Sequence, residues 1–174
     1  GEATVASCVV FGLCGAEKKS YRHFTIKNIT GGDDYAAMRQ ALRRRYERLK
    51  KNDSPLPDLV IIDGGLGQLR CAIEVFDELQ LSGVTLIGVG EGVARKPGQE
   101  KSFLPGLPQA MTSPEDSLAL HLIQQVRNEA HRFAINAHRK LQSKRRVIST
   151  LQEINGVGHK RRHALLKYFG GFQG

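Results

Sequence analysis

Residues 56–72 (LPDLVIIDGGLGQLRCA) constrain the fold of this chain more than any other stretch. The short apolar run within 58–62 is typical of a strand buried on both faces, and Asp63 and a glycine-rich turn follow it directly. The apolar spacing then predicts a helix over 68–81, and residues 84–89 indicate a second buried strand. Strand, helix and strand in this order favour parallel pairing with a right-handed crossover, which indicates the α/β class.

The remaining elements are arranged around this unit. Residues 5–11 and 19–29 predict two strands paired as a hairpin. A helix follows Asp33 and Asp34, either of which can cap it, and Ser113 is predicted to cap a long helix that ends in the basic residues 139–146. The composition changes near Val147, and residues 151–169 indicate a helix, a tight glycine turn and a helix. We therefore predict one domain over residues 1–146 and a small all-α module over 147–174.

The positive charge is confined to the C-terminal third of the chain. Residues 121–174 contain 11 Lys and Arg against 2 Asp and Glu, while the first 120 residues contain 15 of each, so this third carries the whole net charge of +9. Such an end commonly binds nucleic acid; a solvated helix face is the alternative. No apolar run approaches the ~20 residues of a membrane span. Three cysteines without metal-type spacing favour free, mostly buried thiols in a reducing compartment, which indicates the cytoplasm.

Three acidic residues stand where strands are predicted to end. In an open α/β sheet, sites form beyond the carboxyl ends of the strands, and Asp63 occupies such an end. The alternative is that Asp63 caps the next helix and that the glycines only form the turn. Asp33 and Asp34 cannot both cap one helix, so one of them is free to face a cleft or solvent.

His131 is the candidate partner of these carboxylates. It lies beside the predicted apolar stripe of the long helix, with Arg127 and His138 close to the same face. An ordinary surface histidine is the alternative. Carboxylates with a histidine suit Mg²⁺ or Mn²⁺, and such ions support phosphodiester hydrolysis.

The glycine turn at 156–158 is the second candidate site. Gly156 and Gly158 would expose backbone N–H groups at a helix N-terminus, and Lys160, Arg161 and Arg162 follow with positive charge. This arrangement predicts a phosphate pocket that positions DNA without reading its bases. A plain helical hairpin with a basic face is the alternative.

Five stretches carry a family resemblance: VASCVVF, ITGGDDYAAMRQALRRRY, PDLVIIDGGLGQL, VRNEAHRFA and STLQEINGVGHKRRHALLKYFGGFQG. With these stretches, in this order over nearly the whole chain, the sequence resembles the C-terminal half of the bacterial excinuclease component UvrC. The resemblance implies a ribonuclease H-like mixed sheet flanked by helices, followed by a helix-hairpin-helix module. It implies a divalent metal, Mg²⁺ or Mn²⁺, and the 5′ incision beside bulky lesions in nucleotide excision repair.

The resemblance also implies residue roles and partners. Asp63 and His131 match the catalytic aspartate and histidine and would hold the metal, and Asp34 matches a further acid. Gly156, Gly158 and Lys160 fall in the DNA-binding hairpin. The partners would be lesion-bearing duplex DNA and the damage-recognition protein UvrB, with no membrane involved.

The sequence departs from the family pattern in three ways. The first catalytic aspartate of the family lies upstream of Gly1, Leu66 stands where the family usually has lysine, and one hairpin module is present where two are usual. The second hypothesis is therefore a DNA-binding module without nuclease activity. A nucleotide-phosphate enzyme built on the turn at Gly64 is a third, weaker hypothesis.

Overall fold

The structure is a computed structural model and describes residues 4–91, 100–114, 116–153, 156, 158, 160 and 161. Its N-terminal part is a small antiparallel pair, β1 (Val5–Cys8) with β4 (Arg22–Thr25). Between β1 and β4 lies a small hairpin whose two strands have two residues each, β2 (Phe11–Gly12) and β3 (Gly15–Ala16). A short 3₁₀ helix, Lys18–Ser20, follows it. The predicted hairpin is therefore present, but both of its strands are shorter than predicted.

A mixed sheet of four strands forms the centre of the fold. β5 (Leu59–Asp63) pairs in parallel with β6 (Thr85–Gly90), and α2 (Leu66–Glu78) connects them. β7 (Lys101–Phe103) pairs antiparallel with β6, and β8 (Met111–Thr112) antiparallel with β7. The predicted strand-helix-strand unit and the α/β class with a mixed sheet and flanking helices are confirmed.

The main apolar core lies between this sheet and two helices. α1 (Asp34–Lys51) packs on α2, and α2 packs on β5 and β6. The buried cluster consists of Leu42, Tyr46, Ile62, Leu69, Ala72, Val75, Phe76 and Leu86. Burying these side chains supplies most of the local stability, at roughly 25 cal/mol per Å² of apolar area. As a result, the end of β5 is held on a rigid base.

The long helix α3 (Leu118–Glu153) crosses the N-terminal pair. The Tyr21 hydroxyl donates to Glu129 Oε1 at 3.0 Å, and the ring of Phe133 contacts Tyr21 edge-on at 5.0 Å. The His23 ring stacks on Phe133 at 3.7 Å. These contacts fix the rotation of α3 about its axis, and with it the residues that α3 presents to the end of β5.

The start of α3 differs from the prediction. The helix begins at Leu118, not after Ser113, and the backbone N–H of Leu120 donates to the Ser117 hydroxyl at 3.4 Å. The predicted cap at Ser113 is wrong, because a separate turn, closed by the Ser117 N–H on the Pro114 carbonyl, precedes the helix. Leu120 is consequently buried and Ala119 exposed, where Ala119 was expected to face inward.

Several sequence expectations concern the described surface and termini. Cys8, Cys14 and Cys71 are free thiols, as expected. The expectation that they are mostly buried is wrong, because only Cys71 is buried, Cys8 is half-buried and Cys14 is exposed. In the described part of the chain, no helix is long and apolar enough to cross a membrane.

α3 continues through the predicted domain boundary at 146 to Glu153, and most of the predicted module, 147–174, lies outside the described residues.

Glu129 of α3, which accepts the hydrogen bond from Tyr21, predicts that the stability of the fold depends on pH. Hydrogen bonds from Arg132 and, more weakly, from Tyr21 lower the pKa of Glu129 to about 2, against an opposing effect of burial. Because this pKa lies below the unfolded value of about 4.3, Glu129 stabilises the fold fully above that pH, and this contribution is lost as pH falls towards 2.

We expect Glu129→Gln to lower the urea midpoint at pH 7 and to leave it unchanged at pH 2. Urea unfolding of both proteins at pH 7, 4.5, 3 and 2 measures this convergence. A constant difference between the two proteins across the series would show that the Glu129 charge does not stabilise the fold.

Candidate active site

Asp63 is the last residue of β5, at the carboxyl end of the parallel pair. It does not cap the next helix: Gly65 is the N-cap of α2, and no side chain hydrogen-bonds there. Its side chain is 45% exposed. The capping alternative is therefore wrong, and the carboxylate is available for another role.

Two side chains of α3 converge on the Asp63 carboxylate. Arg127 donates twice to Oδ1, from Nε at 3.1 Å and from Nη2 at 2.9 Å. His131 Nε2 lies 2.7 Å from Oδ2. Arg127 and His131 are one helical turn apart, so they reach adjacent oxygens of one carboxylate from the same face of α3.

These two partners differ sharply in burial. The Arg127 side chain is 10% exposed, whereas that of His131 is 51% exposed. The guanidinium thus lies beneath the carboxylate and fixes its plane, while the imidazole borders solvent. The sequence pattern placed Arg127 on this helix face, but Arg127 was not predicted as a site residue. Its i, i+4 spacing from His131 was the available signal.

The glycines beside Asp63 allow the turn to pack closely. A Cβ on Gly88 of β6 would lie 3.2 Å from the Gly64 carbonyl oxygen and 3.4 Å from that of Gly65. A Cβ on Gly67 would collide with the ring of Tyr35 from α1. The turn is therefore pressed against β6 and α1. This contact within the chain accounts for Gly67 without any external ligand.

Leu66 is the first residue of α2, next to the same turn. Its half-buried side chain packs against the main apolar cluster. A lysine here would have to turn its ammonium away from that cluster. The position beside Asp63 is thus apolar, and the Arg127 guanidinium supplies the cation that contacts Asp63.

Asp33 and Asp34, at the start of α1, have different roles. Asp33 caps the helix by accepting from the Ala36 backbone N–H at 2.9 Å. Asp34 is the first residue of the helix and its side chain is exposed. Among the described residues, no group of three or more His, Cys, Asp or Glu could hold a metal ion, so Asp34 does not join Asp63 and His131 in such a cluster.

Asp63 and His131 fit a divalent ion as a partial ligand set. Their facing atoms, Oδ2 and Nε2, are hydrogen-bonded at 2.7 Å, so the proton between them would have to leave before both could hold one ion. Adjacent ligands of an octahedral ion with bonds of about 2.1 Å lie about 3 Å apart, so the two atoms would separate only slightly as they turn towards the ion. Magnesium commonly takes only one or two protein carboxylates and completes its shell with water and substrate phosphate. The two donors therefore suit an ion that binds together with a phosphate.

The second candidate site is only partly described. Gly156 has a φ of +87°, a left-handed conformation that favours glycine. Arg161 Nη1 donates to the Gly156 carbonyl at 3.0 Å, and Gly158 and Lys160 are exposed. Arg162 lies outside the described residues. The phosphate pocket predicted here stays a prediction.

Comparison with known proteins identifies related sequences. Residues 1–135 match the family described as UvrC RNAse H endonuclease domain. The chain is 61% identical over 173 residues to UvrABC system protein C of Coxiella burnetii. It is 59% identical over 170 residues to the protein of that name from Hahella chejuensis, and 56% identical over 173 residues to that from Pseudomonas aeruginosa.

These matches cover nearly all of this chain and a minor part of each relative. The aligned region is 99% of this chain for the Coxiella and Pseudomonas proteins and 98% for the Hahella protein. In each case it spans 28% of the relative.

The burial difference between the two Asp63 partners predicts unequal coupling energies. A double-mutant cycle of Arg127→Gln with Asp63→Asn should give about 1–2 kcal/mol, because the guanidinium is largely withdrawn from water. The matched cycle of His131→Gln with Asp63→Asn should give less than about 1 kcal/mol, because both groups are half-exposed. Urea unfolding of the wild type, the single variants and the double variants measures both values; equal couplings would contradict the supporting role of Arg127.

Proposed function

We propose that this chain, which belongs to the UvrC RNase H endonuclease domain family, carries the active site of a DNA-repair endonuclease. The reaction is hydrolysis of a phosphodiester bond on the 5′ side of a bulky lesion, in nucleotide excision repair. The observation that carries this proposal is the convergence of Asp63 and His131 at 2.7 Å on the carboxyl edge of a mixed sheet.

Each residue of the site has a role that follows from its position. Asp63 is the metal-binding carboxylate at a fixed strand end. His131, which borders solvent, is a second metal ligand or transfers a proton, since imidazole titrates near neutral pH. Arg127 is a positioning residue: its two N–H groups orient the Asp63 carboxylate. Asp34 is assigned a supporting role through the family motif.

A divalent ion is part of this proposal, and Mg²⁺ or Mn²⁺ is the best fit to an oxygen and imidazole donor pair. When bound, it would neutralise charge on the phosphate and make the attacking water more acidic. The chain's own contribution is a carboxylate whose plane is fixed before the ion arrives, which lowers the cost of organising the site.

The partners proposed are lesion-bearing duplex DNA and the damage-recognition protein UvrB, in the cytoplasm. The relatives are named as members of a UvrABC system, and the concentrated positive charge of residues 121–174 suits a polyanion. The hairpin residues Gly156, Gly158, Lys160, Arg161 and Arg162 are proposed to hold the duplex through its phosphates.

We expect Asp63→Asn and His131→Gln to reduce the 5′ incision by about 10²–10⁴-fold each, a range typical of losing a proton-transfer group. DNA affinity should stay within a factor of about two, because neither change removes a phosphate-binding Lys or Arg. The measurement is Mg²⁺- or Mn²⁺-dependent cutting of an end-labelled lesion duplex by full-length protein, with UvrB preloaded. An unchanged 5′ incision rate would remove the altered residue from the site.

Leu66→Lys tests the second candidate function, DNA binding without incision. The partial ligand set among the described residues and the apolar side chain beside Asp63 favour this alternative. If the nuclease proposal holds, the natural Leu66 protein cuts on the 5′ side, and the lysine variant changes the rate only modestly. If only the lysine variant cuts, the natural sequence encodes a binding module. Leu66→Met is the matched control, since it keeps the position apolar and similar in volume.

A further inference from the structure

α3 continues past the candidate active site as a basic helix. Residues 138–146 contain five cations, Arg139, Lys140, Lys144, Arg145 and Arg146, and no acidic residue, and all five side chains are exposed. The helix is unbroken from Leu118 to Glu153. The direction in which each of these side chains points is therefore set by the same helix that directs His131 towards Asp63.

One side of this segment continues the face of His131. With 3.6 residues per turn, six side chains lie within about 80° of the His131 direction: the half-buried Leu141 and five exposed side chains. The exposed five are His138, Arg139, Gln142, Arg145 and Arg146, and we call them the basic face.

The other two cations point elsewhere. Lys140 lies about 180° and Lys144 about 140° from the His131 direction. Lys140 is seven residues from Phe133 and therefore on the same side of α3, where the Phe133 ring stacks on His23 of β4. Burial and then the Lys140 charge lower the pKa of His23. Arg139, Arg145 and Arg146 thus lie on the side of α3 that faces the active site. Lys140 and Lys144 lie on the opposite side of the helix.

We propose that the basic face binds the sugar-phosphate backbone of duplex DNA on one side of the cleaved bond. This inference rests on the proposed function, since it takes Asp63 and His131 as the point of cleavage. Two features support it: the charge complementarity of an acid-free cationic face with phosphate, and the continuity of that face with the site along one rigid helix.

Helix geometry gives the reach of this contact. At 1.5 Å per residue, Arg139 lies about 12 Å and Arg146 about 22 Å from His131 along the axis. At about 3.4 Å per nucleotide these distances correspond to phosphates roughly three to seven nucleotides from the cleaved bond. For a duplex that runs along α3, all of these phosphates lie on one side of the cleaved bond, because the helix leaves the site in a single direction.

The first experiment measures DNA affinity without incision. Full-length protein carrying Arg139→Gln and Arg146→Gln is compared with the matched control Lys140→Gln and Lys144→Gln, which removes the same charge from the same segment. Binding to undamaged duplex is measured without divalent ions over a range of about 50 to 300 mM KCl. We expect the basic-face variant to bind roughly tenfold more weakly at about 100 mM, with a salt slope smaller by about 2. The control should resemble wild type.

A third variant separates charge from folding. Arg139→Lys with Arg146→Lys keeps both charges and should restore most of the affinity, and circular dichroism should show the same helix content in all variants. Equal losses in the basic-face and control variants, or no loss in either, would overturn the inference and leave an undirected basic segment.

The second experiment locates the contact relative to the cleaved bond. Lesion duplexes carry neutral methylphosphonate linkages roughly three to seven nucleotides away on either the 5′ or the 3′ side. We expect the neutral linkages to slow the 5′ incision by the wild-type protein when they lie on one side of the cleaved bond and not when they lie on the other. Incision by the basic-face variant should not change with that substitution. Equal sensitivity of the variant and wild type would contradict the assignment. Absence of any incision would count against the proposed function, while the binding comparison would still decide the basic face.

Discussion

The Asp63 carboxylate, held between Arg127 and His131, is the interaction that joins the two halves of the fold into one site. It connects the end of β5 to α3, residues 64 and 68 positions apart in sequence. An ion pair at this separation adds little stability if both partners are solvated. Here the guanidinium is nearly buried, so the pair contributes stability and also fixes geometry: it sets where the carboxylate points and where the imidazole meets it.

That geometry depends on packing which has no chemical role of its own. Tyr21 and Phe133 set the rotation of α3 about its axis. The apolar cluster packed against β5 fixes the position of the carboxyl end of that strand, where Asp63 lies. Gly88 of β6 lets the turn approach closely, because a Cβ there would lie 3.2 Å from the Gly64 carbonyl oxygen. Small changes far from Asp63 are therefore expected to affect the site, because close-packed interiors transmit displacements.

The same helix connects the site to the basic C-terminal region. A continuous α3 gives His131 and the basic face one fixed relation, so the region that would hold the duplex is oriented with respect to the carboxylate. A flexible connection would have kept the charge but lost that direction. On this proposal, DNA bound on the face would already be aligned with the site, which would reduce the orientational entropy lost on the way to cleavage.

The sequence alone determined what depends on neighbouring residues. The apolar run before Asp63 and the helix after it are local patterns, so the strand-helix-strand unit and a carboxylate at the strand end could be predicted. His131 became a candidate partner only in combination with that carboxylate and through the family resemblance. Only the tertiary structure showed that Gly67 and Gly88 lie at close contacts between segments, and brought Arg127 to the buried side of the Asp63 carboxylate. Those outcomes depend on contacts between segments distant in the chain, and the rotation of one helix against another is fixed by side-chain packing that no local pattern encodes.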